Sequence, residues 1–241
     1  MKFAKILILF LLVTACKKEP NFTAQEIIDK SIAKSGSQLV SNSLITFDFR
    51  DKYYSAERKN GVFKLKRSFD SITDVLSNNG FVRRIKDSEV VLQDSISNNY
   101  ANSVNSVHYF SVLPYGLNDA AVRKKLLLSS TIKGKEYYKI EITFSEDGGG
   151  EDFEDVFVYW IDKQSFLVDY LAYSYHTNGG GKRFRVLKEQ CIKNGIRFVD
   201  YHNYKPVDKT IKLTDLDNAI EKNQLKKVSE IVLKNIEVTL Y

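Results

Sequence analysis

Residues 153–161 read Phe-Glu-Asp-Val-Phe-Val-Tyr-Trp-Ile, and in an extended conformation most of this stretch is apolar on both faces. Phe157, Tyr159 and Ile161 point one way and Val156, Val158 and Trp160 the other, because successive strand residues alternate between the two sides of a sheet. Such a strand needs a layer above it and a layer below it. Its neighbours supply the sheet. In 137–144, Tyr138, Ile140, Ile142 and Phe144 share one face, while Lys139, Glu141 and Thr143 take the other. Leu126 to Ile132 precede that stretch across Lys133-Gly134-Lys135, and Phe166 to His176 follow Asp162-Lys163-Gln164. Lys182 to Cys191 and Ile196 to Tyr204 flank Lys193-Asn194-Gly195. Turns at this regular spacing predict an antiparallel meander.

Helices must provide the cover. Thr23-Ala24-Gln25-Glu26 is a capping box that opens a helix with Ile27, Ile28 and Ile32 on one face and Gly36 placed to end it. A second helix is predicted within Gln93 to Val112, stopped by Pro114 and Gly116, and a short one over Ala219 to Lys226. Lys205 to Asn218 reads as loop and Val228 to Leu240 as one last strand. Nearer the N-terminus Ile45 to Arg50 alternate, Asn60-Gly61 is a strong hairpin signal, and Asn78-Asn79-Gly80 and Lys86-Asp87 mark further turns. The expected class is mainly β (α+β), one domain over residues 23–241. The 15 Phe and 14 Tyr, against 3 Pro and 1 Met, favour strands as well.

The N-terminus reads differently. Met1 to Lys5 is basic, and Ile6 to Val13 is apolar but too short to span a bilayer. Val13-Thr14-Ala15-Cys16 resembles the bacterial lipobox. Residues 1–15 are therefore expected to be a signal peptide, Cys16 the acylated residue, and 16–22 a tether. The expected location is the bacterial cell envelope, lipid-anchored at the outer membrane, on its periplasmic face or at the cell surface.

Three further stretches carry a family resemblance. Val107-His108-Tyr109-Phe110-Ser111-Val112-Leu113-Pro114, Val158-Tyr159-Trp160-Ile161-Asp162, and Asp169-Tyr170-Leu171-Ala172-Tyr173 through Gly180-Gly181-Lys182-Arg183-Phe184-Arg185 resemble a group of Bacteroidota lipoproteins with no established activity. The order of lipobox, helix and long meander is similar to the LolA/LolB-like, lipoprotein carrier-like fold. That resemblance implies a strongly curved antiparallel sheet or half-barrel, closed on its concave face by a few helices, with acyl chains held between. A free shuttle of the LolA kind carries no anchor, so an anchored receptor of the LolB kind is the nearer match.

Catalytic signals are weak. The chain has no G-x-S-x-G, P-loop, H-E-x-x-H or C-x-x-C. His108, His176 and His202 lack metal-ligand spacing, so neither metal nor cofactor is expected. The net charge of +6 is spread along the chain and does not indicate a nucleic-acid partner. Glu146 to Asp155 carries six carboxylates, for which a solvated hairpin tip is a simpler reading than a cation loop. Cys191 reads as a small buried residue. An enzyme built on His176 or His202 with Asp200 is the minor alternative.

The expected function is a non-catalytic, membrane-anchored protein holding a hydrophobic small molecule or lipid, with Phe144, Phe157, Tyr159, Trp160 and Tyr173 as walls. A second set follows from register. If strands 166–176 and 182–191 pair around Asn178 to Gly180, and the next hairpin turns at Lys193-Asn194, one face gathers Tyr173, Tyr175, Arg183, Arg185, His202 and Tyr204. Arg stacked on Tyr there suits an acidic head group, and a slip of one residue would scatter the set. The rival reading is a structural or protein-interaction module of the envelope with a filled core.

Overall fold

The computed structural model describes residues 21–148, 153–176 and 179–241. The leader and Cys16 lie outside them, as do Gly149, Gly150, Glu151 and Asp152 of the acidic loop and Thr177 and Asn178. Helix α1 (Ala24–Ser35) starts at Thr23, whose N–H donates to the Glu26 carboxylate at 2.8 Å while its hydroxyl accepts from the Glu26 N–H at 3.2 Å. Both orphan donors are thus satisfied. A short 3-10 turn, Ser37–Asn42, leads into a run of hairpins: β1 (Ser43–Phe49), β2 (Lys52–Lys59), β3 (Val62–Phe69), β4 (Ile72–Ser77), β5 (Gly80–Ile85) and β6 (Ser88–Val90). Helix α2 (Asp94–Ser111) follows. The second run is β7 (Val122–Leu126), β8 (Ser130–Ile132), β9 (Lys135–Phe144), β10 (Val156–Asp162), β11 (Val168–Tyr175), β12 (Gly181–Lys193) and β13 (Ile196–Pro206). Helix α3 (Leu216–Glu221), β14 (Leu225–Ile231) and β15 (Leu233–Leu240) complete the order.

The strands form two antiparallel sheets. One has seven strands in the order β15-β1-β2-β3-β4-β5-β6, and the other eight, β14-β13-β12-β11-β10-β9-β7 with β8 also on β9. The stretch 126–132, expected to be one strand, is broken around Leu128, which is 90 % exposed, so β7 and β8 pair separately with β9. The expected last strand is also two. After Ile231 the chain leaves β13, crosses Val232, and joins β1 in the other sheet. Asp200 of β13 accepts the Leu233 N–H at 3.0 Å, satisfying a donor at the fork. The chain thus passes directly from the edge strand of one sheet to the edge strand of the other, and the architecture is mainly β with a few helices, as expected.

Strand β10 is covered on both sides. Phe157, Tyr159 and Ile161 pack with Ile140, Ile142, Leu171 and Tyr201 against Ile27 and Ile28 of α1 and Leu113 and Leu117 after α2. Val158 and Trp160 pack with Tyr137, Tyr170 and Phe184 against Leu216 and Ala219 of α3. Residues 205–218, expected to be loop, thus include part of the second cover. Lys139 lies under it rather than in solvent: its Nζ sits 2.6 Å from the Asp217 carboxylate, which also accepts the Trp160 indole N–H at 3.1 Å. Cys191 departs from expectation too. It is exposed, because pairing of β12 with β11 stops at Val186 and the outer end of β12 has β13 as its neighbour.

Gly36 ends α1 at φ 68 and lies against the turn between β12 and β13. A Cβ there would overlap the carbonyl oxygen of Gly195, and the positive φ disfavours any side chain. Gly36→Ala is expected to lower the unfolding free energy by about 2–4 kcal/mol. Urea titration followed by circular dichroism checks this, and an unchanged midpoint would contradict it.

Candidate functional site

The concave side of the eight-stranded sheet is only partly filled. Between it and α2 lies a cleft of about 810 Å³, within the roughly 300–1,000 Å³ of small-molecule sites.

One wall is α2, a helix rich in Asn and Ser. Val104 is its fully buried apolar anchor, over Ala56 and Leu65. Polar contacts supply much of the rest of the docking. Asp74, fully buried on β4, takes Arg67 Nη2 and Arg83 Nε at 2.6 Å each. Arg67 then donates to Ser103 Oγ at 2.7 Å, and the Arg83 guanidinium lies 3.5 Å from the centre of the Tyr100 ring. Toward the helix C-terminus His108 sits edge-on to Phe47 and Tyr54, with Nε2 2.9 Å from the Lys66 carbonyl oxygen. Burial drives its pKa down to about 3, so the ring is neutral. The opposite side of α2 presents Asn102, Ser106, Tyr109 and Phe110 to the cleft.

The facing wall comes from one side of five strands: Phe144 (β9), Phe157 (β10), Tyr173 and Tyr175 (β11), Arg183 and Arg185 (β12), and Val199 and Tyr201 (β13). Ile231, Leu233 and Phe49 close it where the sheets meet. Phe157 has ring-centre distances of 5.7 Å to Phe144, 6.0 Å to Phe110 and 5.6 Å to Tyr173. In register, Phe157 stands opposite Tyr173, and Tyr173 opposite Arg183. Arg185 is buried, with its guanidinium 3.8 Å above Phe110 and Nη2 donating to the Tyr173 hydroxyl at 3.3 Å. Its Nε has no hydrogen-bond partner. Burial raises the pKa of the phenols beneath, Tyr109 to about 12 and Tyr159 and Tyr201 also upward, so these hydroxyls stay protonated at neutral pH. Of the carboxylates at the cleft, Asp155 lies 3.5 Å from His176 Nδ1, and burial raises the pKa of Asp119.

Six of the residues singled out from sequence line this cleft: Phe144, Phe157, Tyr173, Tyr175, Arg183 and Arg185. Tyr159 shares their face but lies deeper, its hydroxyl 3.4 Å from that of Tyr109. Trp160 belongs to the opposite face, as strand alternation requires, and packs under α3. His202 and Tyr204 also lie off this face. Pairing of β11 with β12 differs from the expected register by two residues, which keeps faces intact. The β12–β13 pair turns at Asn194-Gly195 and carries an extra residue, Lys188, between the Leu187–Tyr201 and Glu189–Asp200 pairs. That bulge exchanges the faces, leaving Arg185 opposite Asn203 and His202 opposite Val186. His202 instead lies 3.3 Å from Glu230, and Tyr204 packs in the second core. Tyr201 and Val199 take their place in the cleft. Neither His176 nor His202 shares a hydrogen bond with Asp200, which is bonded to the Leu233 N–H. Among the described residues no cluster of three metal-ligating side chains occurs, and no helix is long and apolar enough to cross a membrane.

Residues 2–232 match the model of a family described as "Family of unknown function (DUF6503)". No curated protein matches the chain. Among solved structures it is similar to a DUF1329 family protein from Desulfovibrio piger, with 9 % identity, TM-score 0.50, and 89 % of this chain and 92 % of that chain covered. It is also similar to a LolA superfamily protein from Nitrosomonas europaea, with 11 % identity, TM-score 0.48, and 91 % and 92 % covered. At 9 % identity the first of these speaks for fold alone.

Two outcomes are expected for the α2 wall. Asp74→Ala leaves two guanidinium groups unpaired under the helix and should cost about 3–5 kcal/mol in chemical denaturation. His108 titrates near 6.5 when unfolded and near 3 when folded. As pH falls through that window the unfolded chain takes up a proton that the native state refuses. Its contribution is therefore complete above pH 6.5 and declines by up to about 1.4 kcal/mol per pH unit below it. Denaturation at a series of pH values should show this slope, and His108→Gln should flatten it.

Proposed function

The chain belongs to the DUF6503 family, whose description assigns no function, and from that premise we propose that it is a non-catalytic binding protein holding a hydrophobic ligand, an acyl chain or lipid. The ligand lies between the curved sheet and α2, against Phe144, Phe157, Tyr173, Tyr175, Arg183 and Arg185. The observation that carries this reading is the open cleft of about 810 Å³ with an aromatic wall, in a chain whose other concave space is plugged by Ile27, Ile28, Leu113 and Leu117. Rings exposed to an unfilled cleft keep apolar surface in water, which a greasy ligand removes. The lipobox-like Val13 to Cys16 supports the companion proposal, acylation at Cys16 and anchorage in a bacterial envelope, at the outer membrane.

The structural-module alternative draws on the same plugging, since Ile27 and Ile28 of α1 are fully buried against the sheet. Native mass spectrometry of gently extracted protein separates the two. A co-purifying lipid supports the carrier, and a ligand-free protein that also ignores fluorescent fatty acids supports the module. Ser106→Trp offers a control: Ser106 is exposed on the cleft side of α2. The indole should displace ligand and lower its affinity at least tenfold while the melting temperature holds. Loss of labelled palmitate incorporation in Cys16→Ser cells tests the anchor.

A further inference from the structure

Resting on the binding reading above, we propose that the cleft takes an anionic amphiphile whose acidic group, carboxylate or phosphate, pairs with Arg185 while its chain lies along Phe110, Phe157 and Phe144. Arg185 is 7 % exposed, and among the described residues no carboxylate ion-pairs with it. Most other buried cations are answered from within the protein: Arg67 and Arg83 by Asp74, Lys139 by Asp217 and Arg197 by Asp169. Arg58 is also without a carboxylate, but it stacks near Tyr115 and does not line the cleft. A buried, unpaired guanidinium is strongly unfavourable unless something supplies the missing charge.

The geometry around Arg185 fits that supply. The guanidinium lies over Phe110, 3.8 Å from the ring centre, so the ring holds one side of it. Nε has no acceptor, and Nη2 has a phenol hydroxyl, Tyr173, at 3.3 Å. An oxyanion takes two such parallel donors in one planar contact. Polarity across the sheet sets the direction of the ligand. The row from Phe157 through Tyr173 to Arg183 runs from apolar to cationic, so the head belongs at β12 and the tail at β9 and β10.

The test uses the full chain, stripped of lipid, with competition binding of palmitate, methyl palmitate, phosphatidylglycerol, phosphatidylcholine and inorganic phosphate. Palmitate or phosphatidylglycerol should bind at least tenfold more tightly than its neutral or zwitterionic counterpart. Arg185→Met should abolish that preference, and Arg185→Lys should restore part of it. Because Met removes an unpaired buried charge, the Met variant should melt no lower than the wild type; a purely structural arginine would show a lower melting temperature with the acid preference kept. Equal binding of palmitate and its methyl ester, unchanged in Arg185→Met, overturns the inference and leaves the hydrophobic-ligand reading standing. Binding of none of the lipids overturns both. Binding of inorganic phosphate alone, with no gain from an acyl chain, replaces the amphiphile with a free anion.

Discussion

Strand β10 has no side to give to water. Ile161 and Tyr159 on one face and Trp160 and Val158 on the other are all fully buried, and each buried side chain of this size contributes about 1.5–3 kcal/mol. The layers on either side follow from that demand. On the concave face α1 and the segment after α2 meet it with Ile and Leu. On the convex face the cover is a six-residue helix that has no stability alone. It is located by polar chemistry: Asp217 accepts from both Lys139 and Trp160. A buried ion pair adds little net stability, but it specifies where a short apolar helix must land.

The two concave-side helices divide the work differently. α1 inserts branched apolar side chains and seals its part of the sheet. α2 has one fully buried apolar residue, Val104, and reaches the seven-stranded sheet through Ser103, Tyr100 and His108. Its other side is amide and hydroxyl until Tyr109 and Phe110. The location of the cleft thus follows from side-chain size along two helices: where α1 lies the sheet is filled, and where α2 lies it is not.

Much of this was legible in the residues. The two-faced strand, the capping box at Thr23, the Asn60-Gly61 hairpin and the extent of α2 all follow from local pattern. Tyr173, Tyr175, Arg183 and Arg185 also share a face, since an even shift in register preserves faces. What local pattern does not carry is a single extra residue. Lys188 has nothing in Glu189-Gln190 or Leu187 to mark it as a bulge, yet it exchanges His202 and Tyr204 for Tyr201 and Val199. The cover over Trp160 is hidden in the sequence for another reason. Leu213, Leu216 and Ala219 have helical spacing, but the stretch is too short for periodicity to stand out. Phe110, which frames the cleft, needed the tertiary approach of α2 to the second sheet.

The handover at Val232 has a consequence for how the chain is made. β1 is synthesised early, yet one of its edges waits for β15: Ile45 pairs with Val238 and Ser43 with Leu240. Until those last residues arrive, β1 presents an open row of backbone donors and acceptors, and the two sheets are joined only through α2 and the segments that flank it. Such long-range closure is slow and leaves the nascent chain prone to mispairing. A chain built this way reaches its native state after synthesis rather than during it.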